Sequence, residues 1–175
     1  RESMAWFRKK AGAMTSVNSK KIMNSEPIEL RNRQVIGSMF MYYYDPKTKD
    51  TLPYYDRFPL TIPVEPAEGG FRGINLHYLP PVLRAKFLDA LLNVTNNKKY
   101  DDTTKFRLTY QLLNGTRNLR YFKPCFKHYL LSQVKSRFAE VPAPEWEIAT
   151  FLPTAQWEKA SAGRVYQDSR KASNG

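Results

Sequence analysis

A single cysteine, Cys125, leaves this chain of 175 residues unable to close an internal disulfide or to build a thiolate metal cluster. Histidine is almost as scarce, with two residues, so imidazole chemistry has only His77 and His128 to draw on. No run of about twenty apolar residues occurs, which excludes a helical membrane span. The opening residues, RESMAWFRKKAG, lack the long apolar core of a secretory signal. Neither GxGxxG nor GxxxxGK[ST] is found, so no glycine loop that cradles phosphates is indicated. Internal repeats are absent too. What the chain has instead is positive charge and aromatic side chains. Its formal net charge is +12, and 14% of its residues are Phe, Trp or Tyr, with 42% hydrophobic overall. That apolar content is enough to fold one domain.

The charge is unevenly placed. Residues 1–34 hold eight Lys/Arg against three acids, and residues 82–138 hold twelve against three. Residues 35–81 and 139–175 each hold four against five. A basic arm and a basic middle block point to a polyanionic partner such as nucleic acid, or to an acidic protein surface. Exposed helices that carry Lys and Arg only to stay solvated are the bland alternative.

The pattern predicts a basic helix over 3–13 and an extended arm to residue 34. A core domain over 35–155 and a polar tail over 156–175 follow. Within the core, VIGSMFMYYYD reads as a strand that stops at Asp45-Pro46. FPLTIPVEP reads as an edge strand, because Pro59, Pro63 and Pro66 cannot donate to a ladder. FRGINLHYL follows after a glycine turn as a third strand. Gly69, Gly70 and Gly73 supply the turn and the bend, on the expectation that positive φ is needed there. Pro80 and Pro81 then end the strand, and Pro81 suits the first turn of a helix. Gly70, Gly73, His77, Pro80 and Pro81 thus form a structural corner. Helices are predicted from Pro81, with Leu83, Phe87, Leu88, Leu91 and Leu92 inward; over Thr103–Leu113, with Gly115 as its stop; over Pro124–Phe138, with Phe126, Leu130, Val134 and Phe138 as a stripe; and from about Pro144. The fold class is α+β: a small bent antiparallel sheet of about three strands, SH3-like or an incomplete barrel, packed with three or four helices.

Catalytic groupings are weak. His77, beside the proline corner, reads as a structural histidine bonded to a backbone carbonyl. His128 falls three residues after Cys125 on the predicted third helix, but a Cys-His pair alone lacks the orienting group and oxyanion donors of a nucleophilic site. Asp101 and Asp102 precede a helix as caps. Asp45, Asp56 and Glu65 converge as a metal site only if three loop positions happen to meet. The stretch RNLRYFKPCFK is more informative, since it interleaves Arg117, Arg120, Lys123 and Lys127 with Tyr121, Phe122 and Phe126. Cations beside aromatics suit phosphates with a sugar or base alongside; the competing reading buries the aromatics and lets the cations snorkel.

YDPK at 44–47, LPYYDRFPL at 52–60 and GINLHYLP at 73–80, with a weaker echo in FKPCFKHYL, resemble small virion proteins of T4-like tailed phages described as DNA end protectors or head completion proteins. The resemblance implies a non-enzymatic structural protein of the virion, assembled in the host cytoplasm and placed at the head-tail junction. There it would bind the end of packaged duplex DNA and shield it from exonuclease. It also implies neighbouring neck, portal or baseplate subunits as partners, with no membrane, no small-molecule substrate, no cofactor and no metal. Charge placement selects Arg107, Arg117, Arg120, Lys123 and Lys127 as DNA contacts. Trp6, Phe7, Ile22, Ile28 and Leu30 are the candidate docking residues of the arm. The alternative, an architectural neck or baseplate subunit that docks through its arm without DNA, stays open.

Overall fold

Glu68 and Gly69 turn the chain between its two longest strands, and Gly69 takes the left-handed conformation, φ 73°, that favours glycine. A computed structural model describes residues 37–151 and 153–174. The expected helix over 3–13, the arm to residue 34 and its residues Trp6, Phe7, Ile22, Ile28 and Leu30 lie outside the described residues. The strands are β1 (Met39–Met41), β2 (Tyr55–Asp56), β3 (Leu60–Ala67), β4 (Gly70–Asn75), β5 (Phe126–Leu130), β6 (Ala139–Val141) and β7 (Trp157–Glu158). The helices are α1 (Pro81–Thr95), α2 (Asp102–Gly115), α3 (Trp146–Phe151) and α4 (Ala162–Asn174). Antiparallel pairing gives a five-stranded sheet in the order β5-β4-β3-β1-β6 and a two-stranded sheet of β2 with β7. The class is α+β, and the described strands form no closed barrel.

The sheet is larger than the three expected strands, and β3 is not at its edge. It lies between β4 and β1, yet β1 pairs only with Leu60 and Thr61. Pro63 and Pro66 lie past the end of β1, where β3 has a strand partner on one side only, and the ladder to β4 is irregular between Pro63 and Glu65. The rule against proline in a central ladder is met by shortening the neighbour.

Gly70 and Gly73 are also needed, but for space rather than for positive φ. A Cβ on Gly70 would lie 1.8 Å from the Tyr129 carbonyl oxygen, and one on Gly73 would lie 2.5 Å from Thr61 Cγ2. These two residues let β4 approach β5 and β3 closely. That approach explains why the predicted helix over Pro124–Phe138 does not form. Phe126–Leu130 instead joins β4 as an edge strand, with Gly70 opposite Leu130 and Gly73 opposite Lys127. Short apolar runs do not separate helix from strand by periodicity, and pairing with β4 decides the matter.

One face of this sheet is an aromatic core. Tyr42 lies 6.2 Å from Phe71, 5.6 Å from Tyr129 and 4.7 Å from Phe138, ring centre to ring centre. Its hydroxyl donates to Thr61 Oγ1 at 3.0 Å. The chain leaves β4 through a 3-10 turn at Leu76–Tyr78 and enters α1 with Pro80 as its cap and Pro81 inside its first turn. Phe87, Leu88 and Leu91 of α1 are buried. Asp101 caps α2, its carboxylate accepting from Thr104 N at 2.7 Å. Gly115 does not stop α2 by turning left-handed; the helix tightens into a 3-10 turn over Thr116–Asn118. The segment read as a polar tail contains β7 and α4, and α4 buries Val165 and Ser169, one turn apart.

Candidate nucleic-acid interface

Along β5 successive side chains face opposite sides of the sheet, so Phe126 and His128 project from one face and Lys127 and Tyr129 from the other. The register places Ile74 opposite Phe126 and Arg72 opposite His128 on the first of these faces. Just before β5, 3-10 turns at Thr116–Asn118 and Arg120–Cys125 carry Arg117 and Lys123 to the same side. Arg72, Arg117, Lys123 and Phe126 line one open cleft of about 240 Å³. Arg117 lies over the Phe126 ring, 5.5 Å from its centre.

A single carboxylate stands beside these three cations. Glu65 Oε1 accepts from Arg117 at 2.5 Å and from Arg72 at 3.1 Å. The Arg117 guanidinium, helped by Arg72, holds the Glu65 carboxyl below its ordinary value against a smaller opposing effect of burial. Glu65 therefore stays ionised, pins the two guanidiniums side by side, and leaves the cluster positive by two. A forked pair of guanidiniums with a lysine and a half-buried ring suits adjacent phosphates and a sugar.

The structure thus brings together two of the five residues predicted as DNA contacts, Arg117 and Lys123, and adds Arg72. The alternation of FRGIN, with Arg72 between buried Phe71 and Gly73, is the signal that could have found it. Arg107 is exposed on α2 and Arg120 is exposed at the start of its 3-10 turn; neither lines the cleft. Lys127 lies on the opposite face of β5, its ammonium 4.1 Å from the centre of the Tyr78 ring.

The other candidate chemistry resolves into structural roles. Cys125 is buried and its thiol is pushed up to about 12 by desolvation, the reverse of an activated nucleophile. His128, on an exposed strand position rather than a helix, has Nε2 2.7 Å from the Glu68 carbonyl. Asp45, Asp56 and Glu65 do not meet. Asp45 pairs with Lys49 at 3.2 Å, and Asp56 is buried. No group of three or more His, Cys, Asp or Glu residues suited to a metal occurs among the described residues.

His77 bonds not to a carbonyl but to a carboxylate. Its Nδ1 is 2.6 Å from Asp56 Oδ2 and its Nε2 is 3.1 Å from Thr154 Oγ1. A hydroxyl, an imidazole and a carboxylate in series have the order of a hydrolase triad. Here Asp56, His77 and Thr154 are only 3%, 1% and 5% exposed, so no substrate reaches the hydroxyl. The chain acts as a brace that ties β2, the corner after β4 and the segment before β7. Buried Arg84 of α1 extends it, donating to the carbonyls of Leu79, His77 and Thr150 and to the Tyr166 hydroxyl.

A family described as the phage T4 terminal DNA protecting protein matches residues 1–174, nearly the whole chain. The chain belongs to this family. No curated protein and no solved structure matches it. Membership in a phage family that protects terminal DNA makes DNA ends the ligand against which the basic cleft is to be judged.

Proposed function

We propose that this terminal DNA protecting protein covers the end of packaged duplex DNA with the β5 edge of its sheet, phosphates lying in the cleft of Arg72, Arg117 and Lys123. The observation that carries the reading is the convergence of three cations and Phe126 on one cleft with a single carboxylate. Arg107 and Arg120 stand outside it as secondary phosphate contacts. Protection on this reading is occlusion and not catalysis, in keeping with an enclosed His77 and a buried Cys125. We infer further that the protein resides in the virion at the head-tail junction, docked on neighbouring virion subunits.

The test is gel-shift binding to linear and covalently closed duplexes of equal length at two salt concentrations, with exonuclease challenge of the linear form. Preferential binding and protection of the linear form are expected. Replacing Arg117 and Lys123 by Gln should reduce the salt slope by about 0.9 for each phosphate no longer neutralised. Binding that ignores both salt and ends would overturn the reading. It would shift attention to the architectural role, in which deletion of residues 1–34 abolishes incorporation into particles while the core still folds.

A further inference from the structure

The tyrosines of MYYYD and PYYDR have no part in the basic cleft, yet the fold gathers them into a second site across β5. Two neighbouring cavities open there. The larger, about 680 Å³, has Tyr43, Tyr44 and Tyr55 in its wall with Lys49, Arg57 and Lys135. The smaller, about 230 Å³, continues from it past Tyr44 and Tyr55, which line both, to Tyr54, Tyr78 and Lys127. Together they make one groove with aromatic walls.

We propose that this groove binds the unpaired terminal nucleotides of a DNA end, whether frayed or overhanging, a proposal that rests on the duplex-end reading above and specifies how an end differs from internal DNA. Three observations favour this occupant. First, the rings are held in place before any ligand arrives. Tyr54 donates to Asp168 Oδ2 at 3.0 Å and Tyr43 is stacked on Phe58 at 4.7 Å, both rings half-buried, as is Tyr55; Tyr44, which accepts from Leu130 N at 2.9 Å, is itself buried and backs the groove without offering a stacking face. Fixed aromatic surfaces bind planar bases without much loss of side-chain entropy, and they tolerate any base because each has a π face.

Second, the groove is positive. Lys49 and Arg57 are matched by Asp45 and Glu158 at 3.2 and 3.3 Å, whereas Lys47, Lys127 and Lys135 have no carboxylate partner among the described residues. Asp56 lines the inner wall, but its oxygens are occupied by His77, Asn75 and two backbone N–H groups. Lys127 is held against the Tyr78 ring at the inner end, where an incoming phosphate would supply the anion that it lacks. Third, the groove and the basic cleft are back to back on one edge strand, Phe126 facing the cleft and Lys127 facing the groove. A duplex seated on the cleft at its end can pass a strand terminus round β5 into the groove. Base stacking needs bases already free of their partners, so internal duplex has nothing to offer it.

Fluorescence anisotropy on the full chain tests this with three probes: a blunt duplex, the same duplex with a short single-stranded overhang, and the overhang sequence as a free single strand. The overhang is expected to tighten binding about tenfold, what one base stacked on an aromatic side chain contributes. Tyr55→Leu and Lys127→Met are each expected to remove that gain, and Tyr55→Leu should bind blunt duplex as the wild type does. Lys135→Gln, at an exposed position, replaces either variant if its melt shows a damaged fold. Arg117→Gln should instead weaken both duplexes by the same factor. Equal affinity for blunt and overhanging duplex, or a gain that survives these groove substitutions, overturns the groove and leaves the duplex-end reading standing. Single-strand binding lost in Tyr55→Leu, with no binding of blunt duplex by the wild type, overturns the duplex reading and keeps the groove.

Discussion

Removing the Asp56 carboxylate should unfold the region on which both proposed DNA sites depend. Four hydrogen bonds converge on its two oxygens, from Phe58 N at 2.9 Å, Gln156 N at 3.0 Å, Asn75 Nδ2 at 3.2 Å and His77 Nδ1 at 2.6 Å. Asp56→Ala strands three buried donors, Phe58 N, Asn75 Nδ2 and His77 Nδ1, and the half-buried Gln156 N. Each orphaned buried donor costs about 1–3 kcal/mol. The lower bound of ~3 kcal/mol for the three buried ones is a large part of the roughly 5–15 kcal/mol by which a domain is stable. Asp56→Asn keeps an acceptor for the two backbone N–H groups but sets an NH2 against Asn75 and His77, so its expected cost is about 2 kcal/mol. For a chain of this size these become losses in Tm of at least ~6 °C for Ala and about 4–8 °C for Asn. Thermal melts followed by circular dichroism and calorimetry give both numbers. The carboxylate also sets an acid limit. Burial pushes the Asp56 carboxyl up, but His77 and the two backbone N–H groups outweigh burial and hold it below 3.8. Its contribution is therefore complete above pH 3.8 and is lost as the pH falls through the lower folded value. Asp56→Asn should lack this step. An Asp56→Ala protein that melts within ~3 °C of the wild type would refute the brace.

Gly73→Val should destabilise by about 1–3 kcal/mol in urea titrations, because Thr61 Cγ2 and the Ile62 carbonyl already crowd the site. Gly70→Ala should cost more than Gly73→Ala, since its clash is with the backbone oxygen of Tyr129 and cannot be relieved by a side-chain rotation; the reverse order would refute the reading of β4 packing. Cys125 should resist a thiol reagent in the native protein and react fully once denaturant is added, as its burial and raised pKa require. Rapid stoichiometric labelling of native protein would contradict that placement. Arg84→Met should destabilise the corner by about 3 kcal/mol or more, as three buried carbonyls and the half-buried Tyr166 hydroxyl lose their donor; a melt unchanged from wild type would deny Arg84 this role.

What is legible from the sequence is what proline, glycine and capping residues decide locally. Pro80 and Pro81 announce the start of α1, and Asp101 the start of α2, because each acts through its own backbone or its nearest amides. β5 is not legible, since FKPCFKHYLLSQVKSRF has apolar residues at a spacing that serves a helix. Its strand state comes from Gly70 and Gly73, more than fifty positions earlier, which let a backbone approach. α4 is hidden for a different reason. Among its described side chains only Val165 and Ser169 are buried, too small a stripe to stand out among polar neighbours. In the basic cleft, Arg117 and Lys123 show in the block RNLRYFKPCFK, but Arg72 comes from another strand and Glu65 from a third. Membership of a site built from three separated segments is a property of the pairing and not of any one of them.

Recognition of an end sets a stricter requirement than affinity for DNA. Phosphate contacts from Arg72, Arg117 and Lys123 are the same wherever a duplex is touched, so on their own they fix position and orientation but carry no preference for a terminus. A terminus differs in having base pairs with a neighbour on one side only, which therefore fray, and in having strands that finish. Preference must come from a contact available only to those features. The β5 edge offers both kinds of contact within consecutive residues, a phosphate cleft beside Phe126 and a tyrosine groove beside Lys127. On the reading proposed above, the cleft would supply affinity that falls with salt, and the groove would add a factor that internal duplex cannot collect. If the two are coupled in this way, the ratio of end binding to internal binding should survive high salt better than either affinity does, because stacking is far less sensitive to counterions than phosphate contact.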